Sequence, residues 1–155
     1  MGNLPIRRYY DSSAIIEFFS KKYDINPYFP KRNSFVENYI CPNALEEATF
    51  TFIKKYSKNN DLNSFLIYLR KFTVLDRHFR EAVTLYLDII ERNFADIPKK
   101  IDSNDVMLFS VAAVNGIDEF ITFDESAKAF LDSLDFPDKP KIVLLPQLPD
   151  APVQP

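Results

Sequence analysis

The sequence predicts an α/β domain built around a central, mostly parallel sheet. Three observations carry this expectation. Short runs rich in β-branched and aromatic residues, such as Ile6–Tyr10 and Glu119–Phe123, alternate with longer stretches whose apolar residues recur at helical spacing. Strands that alternate with helices in this way pack as parallel strands joined by crossover helices. Acidic residues stand where two of the strands end, Asp11 after "RRYY" and Asp124 after "FITF", and parallel sheets bind ligands outside the carboxyl ends of their strands.

Ile6–Tyr10 opens the chain as a strand, and Ser12–Lys22 follows as a helix with Ile15, Ile16, Phe18 and Phe19 on a broad apolar face. Asn26-Pro27 and Phe29-Pro30 mark a loop. Val36–Cys41 ends in a short extended piece, and Pro42 suits the start of a helix whose periodic part is Ala44–Lys55. "SKNND" at Ser57–Asp61 is a break, Leu62–Leu69 a helix, and Lys71–Leu75 a strand. Asp76 is expected to cap a long amphipathic helix reaching about Asn93. After the loop "ADIPKKI", Ser103 is expected to cap a helix over Asn104–Asn115, closed by Gly116. Glu119–Phe123 is a strand, Glu125–Leu134 a short helix and Ile142–Leu145 the last strand. Residues 1–145 thus read as one domain, and 146–155 as a Pro-rich extended tail.

Composition narrows the chemistry. Two glycines in 155 residues argue against a phosphate-cradling glycine loop. A formal charge of -3 excludes gripping nucleic acid by bulk positive charge. One cysteine, Cys41, excludes an internal disulfide and a Cys-rich zinc site, and agrees with a cytoplasmic setting. No apolar run is long enough to span a membrane and no signal-peptide pattern is present. His78 is the only histidine, which disfavours Ser-His-Asp and Cys-His catalysis. An Asp-x-Asp phosphotransferase motif is absent, since Asp11 is followed by Ser12 and Ser13. A receiver domain would carry a lysine where the late strand meets Asp124.

Each candidate acid has a structural use. Asp11 and Asp124 suit helix caps, while Asp105 and Glu47 suit the first turns of helices, each worth about 0.5–1 kcal/mol. Asp105 opens a helix that is otherwise almost wholly apolar and therefore buried. If several of these carboxylates converge, they repel unless a cation neutralises them, and hard oxygen ligands suit Mg²⁺ or Mn²⁺.

Four segments in order resemble the PIN domain, the metal-dependent ribonuclease fold of VapC-type toxins and of several RNA-processing nucleases. They are "YYDSSAIIEFF", "YICPNALEEATF", "NDVMLFSVAAVNG" and "FITFDESAKAF". "KFTVLDRHFREAVTLYL" also resembles the strand-Asp-helix that precedes the third segment. Together they span about Ile6 to Leu145. The resemblance implies a three-layer α/β/α sandwich and an acidic pocket made by Asp11, Glu47, Asp105 and Asp124. Asp11, Asp105 and Asp124 would ligate one or two Mg²⁺ or Mn²⁺ ions, with Ser12, Ser13 and Thr122 as supporting polar groups. It implies hydrolysis of RNA phosphodiesters, and for a VapC-like toxin a cognate antitoxin. Cys41 replaces a common Ser, and Asn43 is polar where the family is usually apolar. Glu46 competes with Glu47, because adjacent helical residues point about 100° apart, and Asp102 competes with Asp105. A housekeeping RNA nuclease without an antitoxin, and a non-catalytic RNA- or protein-binding module, are the alternatives.

Four basic pairs, Arg7-Arg8, Lys21-Lys22, Lys31-Arg32 and Lys99-Lys100, are candidate phosphate contacts, and Lys99-Lys100 is the best placed because its loop leads to Asp105. Tyr28 and Phe29 are candidate exposed stacking residues in their Pro-flanked loop. His78 reads as a helix-surface residue. The first two helices carry more aromatic residues than one core needs, which suggests a homodimer or antitoxin interface.

Overall fold

A computed structural model describes residues 2–21, 26–31, 33–56 and 62–146. The "SKNND" break, Lys22, Arg32 and the tail beyond residue 146 lie outside the described residues. Five strands and six helices alternate among the described residues: β1 (Ile6–Tyr10), α1 (Ser12–Lys21), β2 (Val36–Ile40), α2 (Pro42–Tyr56), α3 (Leu62–Leu69), β3 (Thr73–Val74), α4 (Phe79–Asn93), α5 (Ser103–Val114), β4 (Glu119–Thr122), α6 (Glu125–Ser133) and β5 (Lys141–Leu144). The strands form one sheet in the order β3-β2-β1-β4-β5, and every pairing is parallel. The chain builds outward from β1 to β3, then returns to add β4 and β5 on the other side. The switch point therefore lies between the carboxyl ends of β1 and β4.

Right-handed crossovers place α1, α2 and α3 on one face of such a sheet and α4, α5 and α6 on the other. The aromatic packing agrees. Tyr9 and Tyr10 point to opposite faces of β1, and both are fully buried. Tyr10 meets Phe18 of α1 edge-on at 6.3 Å and Phe72 at 5.3 Å. Tyr9 stacks on Phe120 at 5.5 Å, which in turn meets Phe109 of α5 at 6.5 Å. A strand buried on both faces is the expected companion of an all-parallel sheet.

The aromatic surplus of the first helices goes mostly into the interior. Phe65 of α3 stacks on Phe52 of α2 at 4.3 Å with the rings nearly parallel, and Phe19 of α1 packs on both rings at 5.0 and 5.5 Å. Tyr28 and Phe29 are half-buried rather than exposed. Phe29 packs edge-on against Phe18 at 5.6 Å, and Tyr28 lies under the Arg8 guanidinium at 4.6 Å.

Three boundaries differ from expectation. The third strand shrinks to Thr73–Val74, because the amides of Lys71 and Phe72 bond back to Tyr68 and Leu69 and close the end of α3. Asp76 does not cap α4. His78 occupies that position with a left-handed backbone (φ 61, ψ 33), its carbonyl accepts from Ala82 N, and its exposed ring makes no capping bond. Ser103 does not cap α5. Asp102 does, in a reciprocal capping box with Asp105. At the other end of α5 Gly116 takes φ 67, the left-handed turn that glycine favours.

Replacing fully buried Phe65 by Ala empties the α1–α2–α3 cluster and is expected to cost about 3–5 kcal/mol in urea unfolding. A loss below about 1 kcal/mol would contradict a tightly packed cluster.

Candidate functional site

Asp11 is the first residue after β1 and the N-cap of α1. Its carbonyl accepts from Ile15 N at 3.1 Å, and its amide donates to Ile121 O of β4 at 3.2 Å. Its carboxylate is 2% exposed and accepts three hydrogen bonds, one of them on Oδ2. Oδ1 accepts from Ser13 Oγ at 2.7 Å and Ala14 N at 2.8 Å, while Oδ2 accepts from Thr122 Oγ1 at 2.5 Å. Thr122 is fully buried at the end of β4 and also accepts from Asp124 N at 3.0 Å. One hydroxyl thus joins the two acids that flank the switch point. Asp124 caps α6, taking Ser126 N at 2.9 Å and Ala127 N at 3.3 Å on Oδ1. Among the described residues nothing donates to its Oδ2. Ser13 is the serine that supports Asp11, whereas the Ser12 hydroxyl makes no hydrogen bond among the described residues.

Asp105 enters from the first turn of α5, where Oδ2 accepts from Asp102 N at 3.3 Å. Burial pushes its carboxyl up to about 7, and the charges of Asp11 and Asp124 push in the same direction. Burial also raises Asp11, to about 6; bonds from Thr122, Ser13 and Ala14 work against that rise, and the Asp124 charge adds to it. The charges of Asp11 and Asp124 reach Asp105, and that of Asp124 reaches Asp11, so the three carboxyls feel one another at the switch point. No lysine, arginine or histidine among the described residues forms an ion pair with any of them.

Glu47 approaches the same end of α5 one residue away. Its Oε2 accepts from Asn104 Nδ2 at 2.5 Å, and its side chain is exposed at the rim. Glu46, the rival, makes no hydrogen bond or ion pair among the described residues. Cys41 is buried, and its Sγ accepts from Ala44 N at 3.4 Å, the service a cap serine performs at the start of a helix.

The basic candidates separate. Arg7 and Arg8 are half-buried, and their guanidinium groups are engaged within the fold. Arg7 Nη1 donates to Asn115 O at 2.6 Å, and Arg8 pairs with Glu119 at 2.8 Å and donates to Pro27 O at 3.0 Å. Both lie on β1, in the half away from its carboxyl end. Lys99 and Lys100 are exposed in the loop before α5. Sequence reasoning missed Asn104 as the link between Glu47 and α5. It also missed Asp102 as a cap, although Asp102-x-x-Asp105 has the spacing of a capping box.

The donor set is wholly oxygen, anionic and without a compensating cation, which is the chemistry of a hard divalent ion. Asp105 Oδ1 and Asp124 Oδ2 receive no hydrogen bond among the described residues and are the oxygens open to such an ion. Among the described residues, no three acids, histidines or cysteines stand as a preformed metal centre. The residues fit the ion in charge and ligand type, with Asp11 as the fixed member.

Two raised carboxyls make the folded state bind protons more tightly than the unfolded chain. The resulting penalty is absent below the ordinary value of 3.8 and complete above about 6 for Asp11 and about 7 for Asp105. With chelator present, stability to urea is therefore expected to fall between pH 5 and 7.5. Asp105→Asn is expected to be more stable than the parent at pH 7.5 by about 1–2 kcal/mol, after allowance for partial exposure, and to lose that advantage as pH falls towards 3.8. A flat pH profile, or a variant less stable at pH 7.5, would contradict the raised carboxyls.

No family profile and no curated protein matches the sequence. Solved structures do. PAE2754 from Pyrobaculum aerophilum is 18% identical, with 83% of this chain and 87% of that chain covered and a TM-score of 0.55. VapBC2 from Rickettsia felis, solved bound to a DNA fragment from its promoter, is 18% identical, with 90% and 99% covered and a TM-score of 0.64. The chain therefore has the α/β fold of these proteins across nearly its whole described length.

Proposed function

We propose that the protein is a PIN-type endoribonuclease that depends on Mg²⁺ or Mn²⁺, and that it acts as the toxin of a toxin–antitoxin pair. The observation that carries this reading is the link from Asp124 through Thr122 to Asp11 at the switch point, with Asp105 near enough for its carboxyl to feel both charges. The four sequence segments that resemble the PIN domain support it, as does the fold shared with a VapBC2 structure.

Asp11, Asp105 and Asp124 would hold one or two ions. When bound, the ion supplies activation of water and stabilisation of charge on a phosphodiester in displacement. Thr122 and Ser13 keep the Asp11 carboxylate in a single orientation through bonds of 2.5 and 2.7 Å. Asn104 fixes Glu47 at the rim, where its remaining oxygen can orient a water or a ribose hydroxyl. Lys99 and Lys100 would meet the RNA backbone as it enters beside α5. No histidine is needed, in keeping with the exposed position of His78.

An antitoxin and a second copy of the chain are the proposed protein partners. Phe79, Val83 and Leu87 form an exposed apolar line along α4, at 41%, 44% and 58% exposure, of the kind that binding surfaces carry. Among the described residues no helix is long and apolar enough to cross a membrane. A cytoplasmic location remains part of the proposal.

Purified protein incubated with a mixed pool of structured and single-stranded RNAs is expected to cut in Mg²⁺ or Mn²⁺ and not in EDTA. Asp105→Asn is expected to lose about 100-fold or more of that activity while remaining folded. Cutting that survives EDTA or the substitution would overturn the assignment. RNA binding without cutting in either metal would favour the non-catalytic module.

A further inference from the structure

Beside Asp105 lies an open cavity of about 410 Å³, lined by Asn43, Glu46, Glu47, Phe50 and Asn104. Its volume falls in the range of ligand clefts, about 300–1,000 Å³. Asn43, Glu46, Glu47 and Phe50 stand at i, i+3, i+4 and i+7 and so share one face of α2. Asn104 closes the cavity from α5 and is the residue directly before Asp105. The two sites are therefore neighbours, joined by the Glu47–Asn104 bond.

Three features of this cavity have no structural use. Phe50 is 56% exposed, while Phe52, two residues on, is buried in the aromatic cluster. Glu46 has neither a hydrogen bond nor an ion pair among the described residues, and Asn43 likewise makes no hydrogen bond among them. Asn43 is also the residue whose polarity departs from the resembled motif. An exposed ring, an unengaged carboxylate and an unengaged amide at one cavity are what recognition of an unpaired base requires. Unstacked bases lie on aromatic rings and are read along their hydrogen-bonding edges.

We propose that this cavity is a guanine subsite that seats an unpaired guanosine next to the scissile phosphodiester; the proposal rests on the ribonuclease reading of the adjoining aspartates. The preference follows from donor and acceptor counts. A carboxylate only accepts hydrogen bonds, and does so through two oxygens. Guanine presents two adjacent donors, N1–H and the N2 amino group, with the O6 acceptor beside them. Glu46 matches the donor pair, and the Asn43 amide NH₂ matches O6. Adenine and cytosine each set one amino group beside a lone pair, and uracil sets its single N–H between two carbonyls. All three place acceptors against the carboxylate, which leaves charge unpaired in the cleft. Phe50 supplies stacking to any base, and Glu46 with Asn43 supplies the choice.

The test uses fluorescein-labelled single-stranded hexauridylates that carry G, A, C or U at one central position. Binding is read by anisotropy in EDTA, and cleavage of the same oligomers in Mn²⁺. The parent is expected to bind the guanosine oligomer at least about fivefold more tightly than the other three. Glu46→Gln is expected to abolish that preference, weakening the guanosine oligomer while the other three bind as before or more tightly. Phe50→Ala is expected to weaken all four by about fivefold or more. Both side chains are exposed, so both variants are expected to fold like the parent. Absence of binding, absence of a guanine preference, or a preference that survives Glu46→Gln overturns the subsite. Cleavage without guanine preference overturns the subsite and leaves the nuclease standing. Guanine-selective binding through Glu46 without cleavage overturns the nuclease and leaves the subsite.

Discussion

The hydrogen-bonded link from Asp11 through Thr122 to Asp124 is the interaction on which the candidate site depends. Asp11, Asp105 and Asp124 arrive from three different element ends, and burial with shared negative charge raises the carboxyls of Asp11 and Asp105 to about 6 and about 7. Such a cluster exists only because the backbone insists on it. Asp11 and Asp124 each commit one oxygen to helix-start amides, and Asp105 commits one to the capping box of α5. Capping alone explains why an acid stands at each position. It does not explain why Asp105 feels the charges of Asp11 and Asp124 while no lysine or arginine among the described residues pairs with any of the three.

The sheet supplies the meeting point. Parallel pairing of β1 with both β2 and β4 puts the end of β1 at the topological switch, and Thr122 ties the end of β4 to it through Asp11. The α5 helix is held against this edge of the sheet by Phe109, Phe120 and Tyr9. It delivers Asp105 to the pocket and Asn104 to the neighbouring cavity. The aromatic cluster of Phe19, Phe52 and Phe65 sets α2 in place on the other layer, and with it the Asn43–Phe50 face. Packing in two layers thus determines what lies along the carboxyl edge.

Much of this was legible in the sequence, because local pattern and local chemistry agreed. β1 and α3 lie where the apolar pattern put them, and Asp124 caps α6 as its position suggested. Failures occurred where a choice depended on distant residues or on competing local acceptors. Asp76 looked like a cap, but the chain turns through a left-handed His78 before α4 starts. Ser103 was preferred to Asp102 because a hydroxyl and a carboxylate serve equally as caps in sequence. The structural partners of Arg7 and Arg8 could not be read locally, because the Asn115 carbonyl and the Glu119 carboxylate lie 108 and 111 residues away. Tyr28 and Phe29 looked exposed because a Pro-flanked loop ordinarily is, and the partners that bury them, Arg8 and Phe18, lie on β1 and α1. Ser13 rather than Ser12, and the distinct placements of Glu46 and Glu47, needed the third dimension.

The central claim is that the aspartate pocket is built for a divalent cation. Calorimetric titration with Mn²⁺ at pH 6.5, in two buffers of different ionisation enthalpy, tests it most directly. The parent is expected to bind Mn²⁺ with release of about one proton, because the ion displaces the proton that burial and repulsion hold on the cluster. Asp105→Asn is expected to bind more weakly and to release less. Absence of binding, or binding that releases no proton and is unchanged in the variant, would contradict the claim.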